Sequence, residues 1–153
     1  ESEDSHREPE IKVPFSALLP EDYVSDPHQR LSLYRRLSGA TSDPQVDEIE
    51  VELQDRFGKL PETARNLLWL IRVKRMLKVL KVDSLTVGPE RVVLAPGPDS
   101  ALDPVRAIAF VSGHPEKYSL TPDSKFIAKV KILSLQDLYH SVSTLLRELS
   151  FRD

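Results

Sequence analysis

Along the first half of the chain, apolar residues recur at intervals of three and four; along the second they fall into short runs, one of them strictly alternating. That change of period predicts helices first and sheet afterwards. From Pro27, the residues Leu31, Tyr34 and Leu37 share one helical face, and Gly39 supplies a C-terminal stop. From Pro44, the residues Val46, Ile49, Leu53 and Phe57 keep helical spacing up to Gly58, and Pro61 opens a third helix running through Leu67, Leu68 and Ile71 towards Leu80. Asp-Pro pairs at Asp26, Asp43 and Asp103 mark helix starts, because the carboxylate accepts from unpaired amides while proline suits the first helical position.

Past Val82, the runs Ser84 to Val87 and Arg91 to Ala95 flank Gly88-Pro89-Glu90 and predict a hairpin. Asp103 to Val111 predicts a short helix, Tyr118 to Leu120 a strand, and Lys125 to Ile132 a half-exposed strand with Phe126, Ala128, Val130 and Ile132 on one side. Ser134 and Asp137 form a capping-box start to a last helix, striped by Leu135, Leu138, Val142, Leu145, Leu146 and Leu149. The expected fold class is α+β: a helical first half (about 20–81), then a small, mostly antiparallel sheet packed with further helices (about 82–150).

Composition bounds this picture. At 153 residues and 40% hydrophobic, the chain can bury one real core. Residues 1–10 are charged and lack a large apolar side chain, which predicts a flexible acidic linker or tail ahead of a domain spanning 11–153. Ile11 to Leu19 reads as an extended surface segment, kept out of any central strand by Pro14 and Pro20. No apolar run reaches bilayer-spanning length and the first residues are acidic, so neither a membrane nor a targeting segment is expected. With no cysteine, disulfides, thiolate metal sites and thiol nucleophiles are excluded.

Conventional chemistry finds little footing. The five glycines never cluster into a phosphate-binding loop, and no Gly-x-Ser-x-Gly elbow occurs. Asp47-Glu48-Ile49-Glu50 resembles an acidic magnesium box, but lies inside an amphipathic helix where such a box ends a buried strand. His6, His28, His114 and His140 are scattered and lack ligand spacing. The expectation is a non-enzymatic module without cofactor or metal.

Charge is more informative, although the net value of -3 gives no global field for DNA. On the second helix, Glu48, Glu52 and Asp55 fall in one sector away from the core face, with the apolar Val51 beside them. Such a ridge is either a solvated face or a docking surface for a basic partner. The third helix is opposite in sign. It carries Arg65, Arg72, Arg75 and Lys78, of which those towards its C-terminus suit the helix macrodipole, and these cations could also contact phosphates or complement the acidic helix within the chain.

The words Leu19-Pro20-Glu21-Asp22-Tyr23, Arg30-Leu31-Ser32-Leu33-Tyr34, and Glu52-Leu53 with Asp55-Arg56-Phe57-Gly58 before Leu60-Pro61 give Ile11 to Pro61 a resemblance to a known family. This stretch closely resembles the C-terminal domain of the bacterial transcription-repair coupling factor, Mfd, and the rest follows mainly in the order and type of its elements. The resemblance implies a cytoplasmic, detached terminal module of an ATP-dependent DNA translocase that acts on stalled RNA polymerase and recruits UvrA in transcription-coupled DNA repair. It further implies docking on the parent's UvrB-like N-terminal module, where the domain masks the UvrA-binding surface. Glu52 and Asp55 lie in the family-like word, while Glu48 and Val51 are added by helical position alone. The alternative is an accessory nucleic-acid-binding domain using Arg65, Arg72, Arg75 and Lys78.

Overall fold

Helix boundaries follow the local signals closely. In the computed structural model, which describes residues 8–150, the elements are β1 (Glu10–Lys12), α1 (Pro27–Ser38), α2 (Asp43–Phe57), α3 (Glu62–Val79), β2 (Val82–Val87), β3 (Val92–Pro96), α4 (Pro104–Gly113), β4 (Tyr118–Leu120), β5 (Phe126–Ala128) and α5 (Leu135–Leu149). Asp26 and Asp103 cap α1 and α4 by accepting from the amides two residues on. The middle Asp-Pro pair departs from this expectation: Ser42 caps α2 by accepting from Gln45 N, and Asp43 is freed to pair elsewhere. Gly58 closes α2 at φ 91°, a conformation in which a side chain is strained.

Two apolar clusters form. Leu19, Val24, Leu33, Leu37, Val46, Ile49, Leu53 and Leu60 join Ala64, Leu67 and Leu68 of α3 in the helical part. The second cluster gathers Val73 and Leu77 of α3, the inward residues of β2, β3 and β5, and the α5 stripe. Helix α3 therefore contributes its first half to one core and its second half to the other. Leu31 departs from expectation: it is 49% exposed, because Leu33 and Leu37, four apart, take the inward face of α1.

The sheet has the order β1-β2-β3-β5-β4, antiparallel throughout except for β1, which lies parallel to β2. An irregularity between Val82 and Ser84 lets Val82 and Leu85, three apart, both face the core. The predicted strand over 125–132 is shorter than expected. Pairing ends at Ala128 because its partners, Val92 and Tyr118, are the first residues of β3 and β4. Ile132 is still buried as the chain turns towards α5.

The expectation of a tail over residues 1–10 is corrected where the structure describes it; the rest of that expectation, residues 1–7, lies outside the described residues. Glu8 pairs with Lys78 at 2.8 Å and Lys74 at 3.2 Å, Pro9 is buried, and Glu10 opens β1. The extended segment after β1 then crosses both parts of the fold, tied by Leu18 N to Thr63 O, Asn66 Nδ2 to Ser16 O, and Leu19 N to the Tyr34 hydroxyl.

Arg72 is 6% exposed, and it joins α2 to α3. One of its terminal nitrogens donates to Asp47 at 2.7 Å and Glu50 at 3.1 Å, and its guanidinium lies 4.6 Å from the Trp69 ring centroid. One turn on, Arg75 donates to Asp43 Oδ1, whose other oxygen accepts from the Tyr139 hydroxyl of α5 at 2.8 Å. Burial opposes ionisation of Asp43, but Tyr139 and Arg75 outweigh it and hold its carboxyl below the usual range.

Removing the two sides of this junction should not cost the same. Arg72→Ala leaves carboxylates that can turn to water, and should cost about 2 kcal/mol in lost packing and charge-assisted hydrogen bonds. The double change Asp47→Ala, Glu50→Ala strands a buried guanidinium and should cost about 3–5 kcal/mol. Urea unfolding of both variants measures the asymmetry, and a smaller loss in the double variant would contradict it.

Candidate functional site

Helix α2 carries six carboxylates, and the structure divides them. Asp43, Asp47 and Glu50 turn towards α3 and are paired with Arg75 and Arg72. Glu48, Glu52 and Asp55 follow i, i+4, i+7 spacing on the other side, as the periodicity predicts. Among these three, Glu48 and Asp55 are exposed, with no hydrogen bond or ion pair to any described residue. Val51 lies beside them at 56% exposure.

Glu52 differs from its neighbours. Arg36 of α1 donates to both of its oxygens at 2.8 and 3.0 Å, and Arg56, one turn along α2, donates to Oε2 at 2.6 Å. The hydrogen bonds from Arg36 and then Arg56 pull the Glu52 carboxyl down to about 2. Glu52 in return raises Arg36, to which Glu48 adds a smaller field. The ridge is thus a band of mixed sign: two open carboxylates, one exposed valine and a third carboxylate clamped between arginines. Arg56 was legible as the i+4 partner of Glu52. Arg36 was not, since only the packing of α1 on α2 brings it there.

The basic helix does not present the cation row expected of it. Arg72 is buried in ion pairs, Arg75 is engaged with Asp43 and the Thr41 carbonyl, and Lys78 holds Glu8. Arg65 is exposed and donates to the Leu60 carbonyl. The physical reason is complementarity within the chain: α2 and the N-terminal segment supply carboxylates to these cations before any phosphate could. Arg72 and Arg75 are thus engaged within the chain, the first buried and the second partly exposed.

Other chemistry stays dispersed. Among the described residues, no three His, Cys, Asp or Glu side chains converge on a common point. His114 lies against Phe110 and meets Tyr118 edge-on, and His140 lies against Trp69 and Tyr139; His6 is outside the described residues. A groove of about 730 Å³ runs beside α4, lined mainly by apolar residues, and the Asp103 carboxylate on its rim caps that helix. No described helix is long and apolar enough to cross a membrane.

With this geometry in place, comparison with known proteins is decisive: the TRCF domain family matches residues 13–107. The chain belongs to the TRCF domain family. Among similar proteins, the transcription-repair-coupling factor of Myxococcus xanthus is 39% identical over 144 residues, covering 94% of this chain and 12% of that protein. The factor of Escherichia coli strain K12 is 32% identical over 111 residues, covering 72% and 10%. The chain therefore spans about a tenth of the TRCF proteins it matches. A crystal structure of the C-terminal domain of transcription-repair coupling factor superposes with a TM-score of 0.75 at 17% identity, covering 94% of each chain, so the TRCF chain has that α+β fold.

The low Glu52 value has a stability consequence. A carboxyl lowered on folding contributes above its unfolded value and loses that contribution as pH falls through the folded one. Here the window runs from 4.5 down to about 2. Acid titration of unfolding should therefore show a shallower decline in Glu52→Gln than in the parent chain across that window. Equal slopes would mean that the arginine clamp does not operate in solution.

Proposed function

We propose that this chain is a non-catalytic regulatory module of a DNA translocase acting in transcription-coupled repair. In this reading it docks through α2 on the UvrB-like N-terminal module of its parent and masks the surface that UvrA would use. RNA polymerase is then an indirect partner, met when the cover opens. The observation that supports the reading is the contrast along one helix: four α2 carboxylates are satisfied within the chain, while Glu48 and Asp55 stand open beside exposed Val51. A solvated face has no need of an exposed valine between like charges, which weaken the helix slightly by their repulsion. A basic surface with an apolar spot would relieve both.

The energetics suit a cover that must lift. Exposed ion pairs contribute about 0–1 kcal/mol each and weaken with salt, so a few of them make a reversible contact. Tethering in one polypeptide supplies an effective concentration on the order of millimolar, which keeps such a contact closed until competed. Glu52 and Asp55 carry the proposed contact, with Glu48 and Val51 extending it.

Calorimetric titration of the chain into the UvrB-like module, at low and physiological salt and with UvrA as competitor, tests the proposal. Binding should be weak, salt-sensitive and displaced by UvrA. The double change Glu48→Lys, Asp55→Lys touches no internal ion pair and should weaken binding about tenfold while leaving the fold intact. Unchanged affinity in the folded variant would reject α2 as the docking face.

A further inference from the structure

We propose that Arg36 and Arg56 are internal competitors of the docking partner: they occupy Glu52 in the free domain, so that docking exchanges one cation for another and is held weak. This inference rests on the docking reading above and adds how that contact is regulated.

The geometry carries it. An ionised carboxylate offers about four lone-pair sites, and three hydrogen bonds already arrive at Glu52. Arg36 Nη2 donates to Oε1, and Arg36 Nη1 and Arg56 Nη1 both donate to Oε2. The Arg36 contact is the forked, two-oxygen kind that a guanidinium makes best, so a partner arginine would seek the same oxygens in the same way. The trio also has a local charge of one positive unit, and an approaching cation meets repulsion from two guanidinium groups before it reaches the carboxylate.

A purely structural role explains less. Helices α1 and α2 are already joined by Leu33, Leu37, Val46, Ile49 and Leu53, all buried. Arg36, Arg56 and Glu52 are 45%, 41% and 30% exposed at their side chains, where ion pairs add little to folding. The contrast with Arg72 is instructive: a cation that binds α2 to the fold is buried, whereas these two lie at the rim of the open face. Both can swing away into water without leaving a buried group unpaired.

The test is Arg36→Gln, with Arg56→Gln as a second variant, titrated into the UvrB-like module alongside the parent chain. Removing the competitor should tighten binding by about threefold at low salt, as expected when one exposed ion pair no longer has to be broken for docking. With Glu52→Gln already present, the same substitution should change affinity less than about 1.5-fold, because there is no longer a carboxylate to release. In the free chain, nuclear magnetic resonance should find the Glu52 titration rising from about 2 towards the ordinary range in Arg36→Gln.

Weaker binding in Arg36→Gln would make Arg36 a contact of the partner and overturn the proposal. Equal tightening with and without Glu52 would reduce the effect to the general field and also overturn it. Binding by Arg36→Gln where the parent chain is silent would support it strongly. If neither binds, the docking reading itself falls and takes this one with it, a result distinct from binding that the substitution leaves unchanged.

Discussion

A guanidinium taken out of water must be met by carboxylates, and that requirement at Arg72 fixes how α2 lies on α3. Asp47 and Glu50 meet it from one side and the face of Trp69 from another. In that position α2 delivers Val46, Ile49 and Leu53 to the core of the helical part. One turn further, Arg75, Asp43 and Tyr139 carry the constraint across to α5, which also packs on the second half of α3. The two cores are thereby locked to one another through polar groups as well as through the helix they share.

This arrangement gives α2 two electrostatic roles at once. Its inward carboxylates make the fold; those facing outward are left to water or to a partner. Strength and reversibility separate along the same line, because an ion pair gains rigidity from burial and gives it up to solvent screening at the surface. Glu52 stands between the two classes, partly exposed yet firmly held.

Elements with a local cause were legible in the sequence. The α5 stripe and its Ser134 cap, the hairpin around Gly88-Pro89-Glu90 and the Val46/Ile49/Leu53 face all arise from neighbours within a few turns of chain. What escaped depends on residues far apart in sequence. Three residues from Glu10 to Lys12 become a strand only because β2 offers an edge, and Lys125 to Ile132 stops short because its partners do. The charge pattern of α3 was legible, but not its destination: Asp47 lies 25 residues before Arg72, and nothing local states that they meet. The acidic face was likewise readable as a helical sector, whereas the Arg36 that qualifies it required the fold.

The N-terminal segment has a consequence for how the chain is made. Lys78, which holds Glu8, lies 70 residues later in the sequence, and the β2 residues that pair with β1 come later still. At about 5–20 residues per second, the segment waits on the order of ten seconds after leaving the ribosome before its partners exist. During that interval Ile11, Val13 and Phe15, which pack on the later-made cluster, are apolar residues without a core. Pro14 and Pro20, together with the charged Glu10 and Lys12, break the run and discourage it from pairing with other nascent chains, so a segment that ends as a three-residue edge strand is guarded while it is being made.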